Sequence, residues 1–373
     1  MEWMYSFVSQ LGVYVVFFMV GLVVVTVGRR YGRLKNDAPL DKALNAFIFG
    51  HPGSKQVQTA LPTEYYARIL LTCTFGLLGS FLLWGILQER IMTHEYNTGK
   101  FESSNFLIFA NRVFSCVVAL ICIHYEEPSE PMTAPLYIFS YVSFSNVLSS
   151  WCQLEALKHV SFPTQVLGKS CKVVVLMCVG VLFLKTKYSF SEYVFAFVLC
   201  SGMAVFFYDK KSNMEDHVTT ATGAILMSMY IFFDACTAQW QSSIFKTYSV
   251  SSSHMMLYVN FYSALFTLTS LISTGELYPS LEFIRLNNGF TVDLLLFSAA
   301  SSIGLIFVFY TIKHLGVFTF VSLMSVRQIF AILISSIIFD HHVGPVGLLG
   351  VCIVFGSCIV KMKLDSIETI KQE

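Results

Sequence analysis

The chain has 373 residues, 55% of them hydrophobic and only 13% charged, with a formal net charge of +1. Soluble domains carry roughly 25% charged residues, so the composition excludes a water-soluble globule and points to a lipid bilayer as the surroundings. No run of Lys and Arg with interleaved aromatics lies on a polar stretch, which sets nucleic acid aside as a partner.

In chain order, eleven apolar segments stand out, near Tyr5–Val27, Ile69–Leu87, Phe106–Ile123, Leu136–Leu157, Pro163–Leu184, Tyr193–Tyr208, Thr222–Trp240, Met255–Ser273, Val292–Ile312, Phe318–Phe339 and Val343–Val360. A helical crossing needs roughly 17–25 residues. The pattern predicts an all-α, polytopic membrane protein: a ten-helix core of two inverted five-helix repeats plus one extra N-terminal transmembrane helix. The expected organisation is a membrane anchor (1–28), a basic and polar cytosolic linker (29–63), a first repeat (64–210), a second repeat (211–364) and a cytosolic tail (365–373).

The first segment lacks a basic n-region and is followed by Arg29, Arg30, Arg33 and Lys35. It therefore reads as an uncleaved anchor with a lumenal N-terminus and a cytosolic C-terminus for the chain. Alternating sides from there puts fourteen Lys and Arg in the cytosol and six in the lumen. The ten cysteines fall inside apolar stretches without a Cys-x-x-Cys pair, so they read as small packing residues.

The duplication rests on an ungapped register. ALKHVSFPTQVLGKSCKVV (Ala156–Val174) lies on TIKHLGVFTFVSLMSVRQI (Thr311–Ile329) at an offset of 155, matching Lys158 with Lys313, His159 with His314 and Lys172 with Arg327. Each copy is expected to place its Lys-His pair at a hairpin and a cation inside the following helix. Five helices per repeat force opposite orientations, the arrangement of transporters with a midplane site.

Four cations, Arg112, Lys169, Lys172 and Arg327, lie inside the apolar segments. A charge near the bilayer centre costs at least ~2.5–3.5 kcal/mol, so such residues are functional candidates. Gln165, Lys169 and Lys172 share a helix face, and neighbouring ammonium groups repel unless an anion or water lies between them. Under the duplication the counterpart of Arg112 falls near Asn260, which heads a stripe with Ser263, Thr267 and Ser270. Tyr310 offers a ring for a base to stack on, as good for packing against a helix. Polar stripes of this kind also glue helices together. No His-Glu-x-x-His, Gly-x-Ser-x-Gly or Walker loop occurs, so neither an enzyme, a cofactor nor a metal site is expected.

WGILQERIM (Trp84–Met92), NVLSSWCQLE (Asn146–Glu155), SFPTQVLGKSCK (Ser161–Lys172), MMLYVNF (Met255–Phe261), FYTI (Phe309–Ile312) and RQIFAIL (Arg327–Leu333) resemble the nucleotide-sugar transporter family of the drug/metabolite transporter superfamily. The resemblance is strongest to its branch of Golgi transporters for 3′-phosphoadenosine 5′-phosphosulfate (PAPS). It implies an antiporter that takes an anionic nucleotide, PAPS, into the Golgi lumen in exchange for an adenine nucleotide, with the family's contacting cations at Lys169, Lys172 and Arg327. On that reading Lys169, Lys172, Arg327 and Arg112 are the expected holders of phosphate and sulfate groups, and Gln165, Gln328, Asn146 and Gln153 would position base or ribose. Alternatives are a UDP-galactose-like sugar transporter of the same fold, or a membrane receptor or scaffold. A homo-oligomer is compatible with the sequence. Val173, Val174 and Val175 stand where the family usually carries prolines, which predicts a straighter helix there.

Overall fold

The computed structural model describes residues 63–96, 99–101, 103–126, 132–156, 169, 172–211 and 221–338, with scattered positions in 12–48 and 346–360. The tail and all but scattered positions of the anchor and linker therefore lie outside the described residues, as does the expected Lys158-His159 hairpin. Among the described residues the chain is helical throughout, with one isolated bridge between Tyr96 and Gly99. The helices are α1 (Thr63–Thr93), α2 (Ser104–Tyr125), α3 (Ile138–Ala156), α4 (Lys172–Leu184), α5 (Phe190–Lys211), α6 (Ala221–Thr247), α7 (Ser252–Thr274), α8 (Leu277–Leu286) and α9 (Asn288–Ile338). Four stretches among them, Arg68–Gln88, Asn105–Tyr125, Ser252–Thr274 and Asn288–Arg327, are long and apolar enough to cross a membrane. Exposed Leu71, Phe75, Leu83, Val117, Leu120 and Leu295 give these helices a lipid-facing surface. This is an all-α, multi-pass membrane protein.

Two compact units divide the chain, and each draws on both of the expected halves. Unit one holds Gly79–Leu148 and Ser243–Tyr310 besides Met1–Val57; unit two holds Gln58–Leu78, Ser149–Ser242 and Thr311–Glu373.

In unit one, α2 packs along α7. Around this pair, small polar side chains tie α3 to α7 and α2 to α9. Ser143 Oγ donates to Val259 O at 2.7 Å, Asn111 Nδ2 donates to Ser301 Oγ at 2.9 Å, and the Ser115 and Ser302 hydroxyls lie 2.8 Å apart. Ser103 caps the start of α2 by accepting from Phe106 N at 3.3 Å, and Ser251 caps α7 by accepting from His254 N at 3.2 Å. At one end of the unit an aromatic core gathers Phe101, Phe106, Phe290 and Phe297, with Trp84 stacked on Phe297 at 5.7 Å. Trp84 is thus a packing residue. At the other end Thr133 and Ser249 pair through Thr133 N to Ser249 O (3.2 Å) and Ser249 N to Thr133 Oγ1 (2.9 Å). Loops expected on one side of the membrane meet each other at both ends: 94–103 with 274–293, and 126–133 with 249–251.

In unit two, α4 packs on α5. Gln239 Nε2 on α6 donates to Leu176 O (2.9 Å) and to Tyr188 OH (2.6 Å), so one amide ties α4 and the turn after it to α6. Gly180 allows that approach, because a Cβ there would run into the Tyr188 and Gln239 side chains. Val173–Val175 form the first turn of helix α4 after Lys172.

Two differences from the sequence reading have physical causes. The break between the expected segments Val292–Ile312 and Phe318–Phe339 is a single residue, Gly316, at φ 82° and ψ 165°. That region is open essentially to glycine alone. Lys313 and His314 therefore lie in the helix ahead of the break and not in a hairpin loop. Helix α8 was not legible as an element because ten residues are too few to cross a bilayer and the sequence reading passed over it as a connection.

Candidate functional site

The expected site residues fall into two groups, one in each unit. In unit two, Lys172 opens α4 and Lys169 lies three residues ahead of it. Asp234 and Tyr230 come from α6, one turn apart, and Arg327 and Phe320 come from the part of α9 beyond Gly316. Lys172 Nζ forms an ion pair with Asp234 Oδ2 and lies 5.8 Å from the centre of the Phe320 ring. Lys169 Nζ sits over the Tyr230 ring at 5.9 Å. Among the described residues Lys169 has no ion-pair partner; its charge interacts with Arg327, Asp234 and Lys172. Tyr230 is buried and lies within the electrostatic reach of both Asp234 and Arg327. The aromatic faces of Tyr230 and Phe320 support the ammonium groups without neutralising them. Three cations from two separate stretches of chain thus gather in one unit.

In unit one, Arg112 on α2 is held by two amides. Nη2 donates to Asn146 Oδ1 on α3 at 2.6 Å and Nη1 to Asn260 Oδ1 on α7 at 3.2 Å. Asn260 is itself oriented by donating to Met256 O at 2.7 Å. Arg112 Nε is buried without a hydrogen-bond partner, and so are the Ser263 and Ser270 hydroxyls farther along α7. Among the described residues no carboxylate pairs with Arg112. Neutral amide oxygens satisfy the guanidinium geometrically and leave its charge in place.

Three expected residues, Arg112, Asn146 and Asn260, therefore touch. Gln153, half-buried on α3, belongs to unit two, and Tyr310, half-buried, is the last residue of unit one. Gln165 lies outside the described residues, as does the Gln328 side chain. The sequence reading singled out neither Phe320 nor Tyr230 as a ring for a cation to rest on. Ring faces carry no signal of their own in a chain with 35 Phe and 18 Tyr. It also missed Arg90, Tyr96 and Asp293, which meet at one end of unit one: Arg90 Nε lies 3.2 Å from Asp293 Oδ2, and Tyr96 OH donates to the same oxygen at 2.9 Å. An open cleft of about 560 Å³ beside this corner is lined by Lys100, Phe101, Glu276 and Phe283 and holds none of the expected site residues. No cluster of three His, Cys, Asp or Glu forms among the described residues.

Residues 69–365 match the family model described as the UAA transporter family. The chain belongs to that family. Among curated members of similar sequence, the adenosine 3'-phospho 5'-phosphosulfate transporter 1 of Homo sapiens is 39% identical, over 96% of this chain and 87% of that protein. The transporter of the same name from Drosophila melanogaster is 38% identical, over 91% and 78%. The UDP-galactose/UDP-glucose transporter 5B of Arabidopsis thaliana is 33% identical, over 78% and 87%. A solved protein crystal structure superposes with a TM-score of 0.56 over 80% of this chain and 97% of that one at 8% identity, which is a likeness of fold alone.

Proposed function

We propose that this chain is a secondary transporter carrying PAPS from the cytosol into the Golgi lumen in exchange for an adenine nucleotide. The observation that carries the reading is the grouping of Lys169, Lys172 and Arg327 in one unit, with Lys169 laid on the Tyr230 ring and without an ion-pair partner among the described residues. Cations kept at such depth need a polyanion or water to face. PAPS presents a 3′-phosphate and a 5′-phosphosulfate, more negative charge than a UDP-sugar offers. A guanidinium binds such groups through two parallel hydrogen bonds, and an ammonium acts as a point charge. Lys169, Lys172 and Arg327 would hold the phosphosulfate and phosphate. Gln153, Gln165 and Gln328 would receive base and ribose; Arg112, set by Asn146 and Asn260, is a separate candidate anion contact in unit one. The names of the human and fly relatives support the PAPS assignment. The basic flank after the first segment supports a lumenal N-terminus and a cytosolic C-terminus.

A thermal-shift panel on purified protein tests the substrate class, because a ligand that binds only the folded state raises its stability. PAPS and adenosine 3′,5′-bisphosphate should stabilise the protein, and UDP-galactose should not. In proteoliposomes an excess of UDP-galactose should leave PAPS uptake intact. Stabilisation by UDP-galactose with none by PAPS would reassign the carrier to UDP-sugars.

A further inference from the structure

We infer that Asp234 is a built-in substitute for the cargo's anion: it holds Lys172 while the site is empty and yields it when an anionic nucleotide arrives. The inference rests on the reading of Lys169, Lys172 and Arg327 as the anion site, and adds what occupies that site between transport steps. Three observations support it. Lys172 is ion-paired with Asp234, so one of the proposed cargo ligands is already engaged. The pair is not sealed: the two side chains keep 14% and 23% of their surface accessible, whereas Asp293 at the corner of unit one keeps 6%. A sealed pair cannot exchange partners without stranding a buried charge, and an accessible one can. The same carboxylate also acts on Lys169 and on Tyr230, so it reaches the side chains grouped around the proposed phosphate position.

The physical consequence is competition. Two ammonium groups one helical turn apart repel each other and need an anion near them. When cargo is absent the fold supplies Asp234. When cargo binds, the carboxylate must give up Lys172 and then repels the incoming phosphates. Asp234 therefore weakens cargo binding, assists release, and lets the empty carrier change its facing without a bare charge in the bilayer. Replacing it should tighten the loaded state and penalise the empty one.

Asp234→Asn keeps the shape and removes the charge. With the full-length protein, PAPS and inorganic pyrophosphate are titrated in detergent, and preloaded proteoliposomes are assayed for PAPS release with and without external nucleotide. Asp234→Asn should bind both probes about five-fold more tightly, the scale of one partly exposed ion pair. Release into nucleotide-free buffer should slow relative to exchange. On a Lys172→Gln background the same substitution should tighten binding less, since the pair is gone and only the repulsion of the phosphates is relieved. Weaker or unchanged binding by Asp234→Asn, or equal tightening on both backgrounds, overturns the inference. If Asp234→Asn is unstable without ligand, pyrophosphate during purification should restore folded protein; failure of that rescue also overturns it. Tighter pyrophosphate binding with no PAPS binding by either form would sink the PAPS reading and keep this one. No anion binding by the unsubstituted protein would sink both.

Discussion

Asp293 and Asp234 are both carboxylates met by a basic side chain, and the difference between their surroundings separates scaffold from site. Asp293 is buried, and one of its oxygens collects Arg90 Nε and Tyr96 OH, fastening the end of α1 and the turn after it to the start of α9. Its basic partner, Arg90, reaches out to solvent with 59% of its side chain exposed. Asp234 is more accessible than Asp293, pairs with a Lys that is mostly buried, and has a second Lys, laid on an aromatic ring, within electrostatic reach. At the first corner the acid is the buried member and is fully supplied with donors. At the second, cations are drawn inward around the acid, an arrangement that costs stability unless an anion visits.

The comparison can be broken most sharply at Lys169. Lys169→Glu should lower PAPS affinity about 100-fold, since it removes one charge-assisted contact and adds a repulsive one. Asp293→Asn should leave that affinity unchanged; nucleotide-titrated thermal shift reads both. Asp293→Asn should instead reduce stability by about 1–3 kcal/mol, because Arg90 and Tyr96 lose a charged acceptor. A fall in the melting midpoint without nucleotide present would show it. Gly316→Ala should cost a similar 1–3 kcal/mol, all of it backbone strain, because open space surrounds the position where a Cβ would go. The smallest effect is in pH. Burial first, then the hydrogen bond to Asp293 and its charge, push the Tyr96 hydroxyl from 10.0 up to about 12. The folded state thus holds that proton more tightly than the unfolded chain does. The stabilisation is complete below about pH 10 and fades as the pH rises towards 12. Tyr96→Phe should flatten that part of the stability profile.

Much of the fold was legible because apolar length is a direct signal. The expected segment Phe106–Ile123 is α2 (Ser104–Tyr125), and Met255–Ser273 is α7 (Ser252–Thr274). The cations were legible for the same reason, since a charge in such a stretch stands out. Their grouping was half legible. Arg112, Asn146 and Asn260 each stood out as a polar residue in an apolar stretch, and the structure hydrogen-bonds Arg112 to both asparagines. What counters each cation was not legible. A carboxylate's partner is not written in the apolar pattern, and only the placement of α6 beside α4 joins Asp234 to Lys172. The position of the break in α9 was not legible either. Glycine occurs 22 times in the chain, and its pattern alone does not reveal which one takes a positive φ.

The most direct test of the central claim is uptake of radiolabelled PAPS into nucleotide-loaded proteoliposomes by Lys172→Ala and Arg327→Ala proteins whose folding is verified by size-exclusion profile. Uptake at the level of empty liposomes in both is the expected result. Uptake at the unsubstituted rate in both would contradict the assignment of this cluster as the seat of the transported anion.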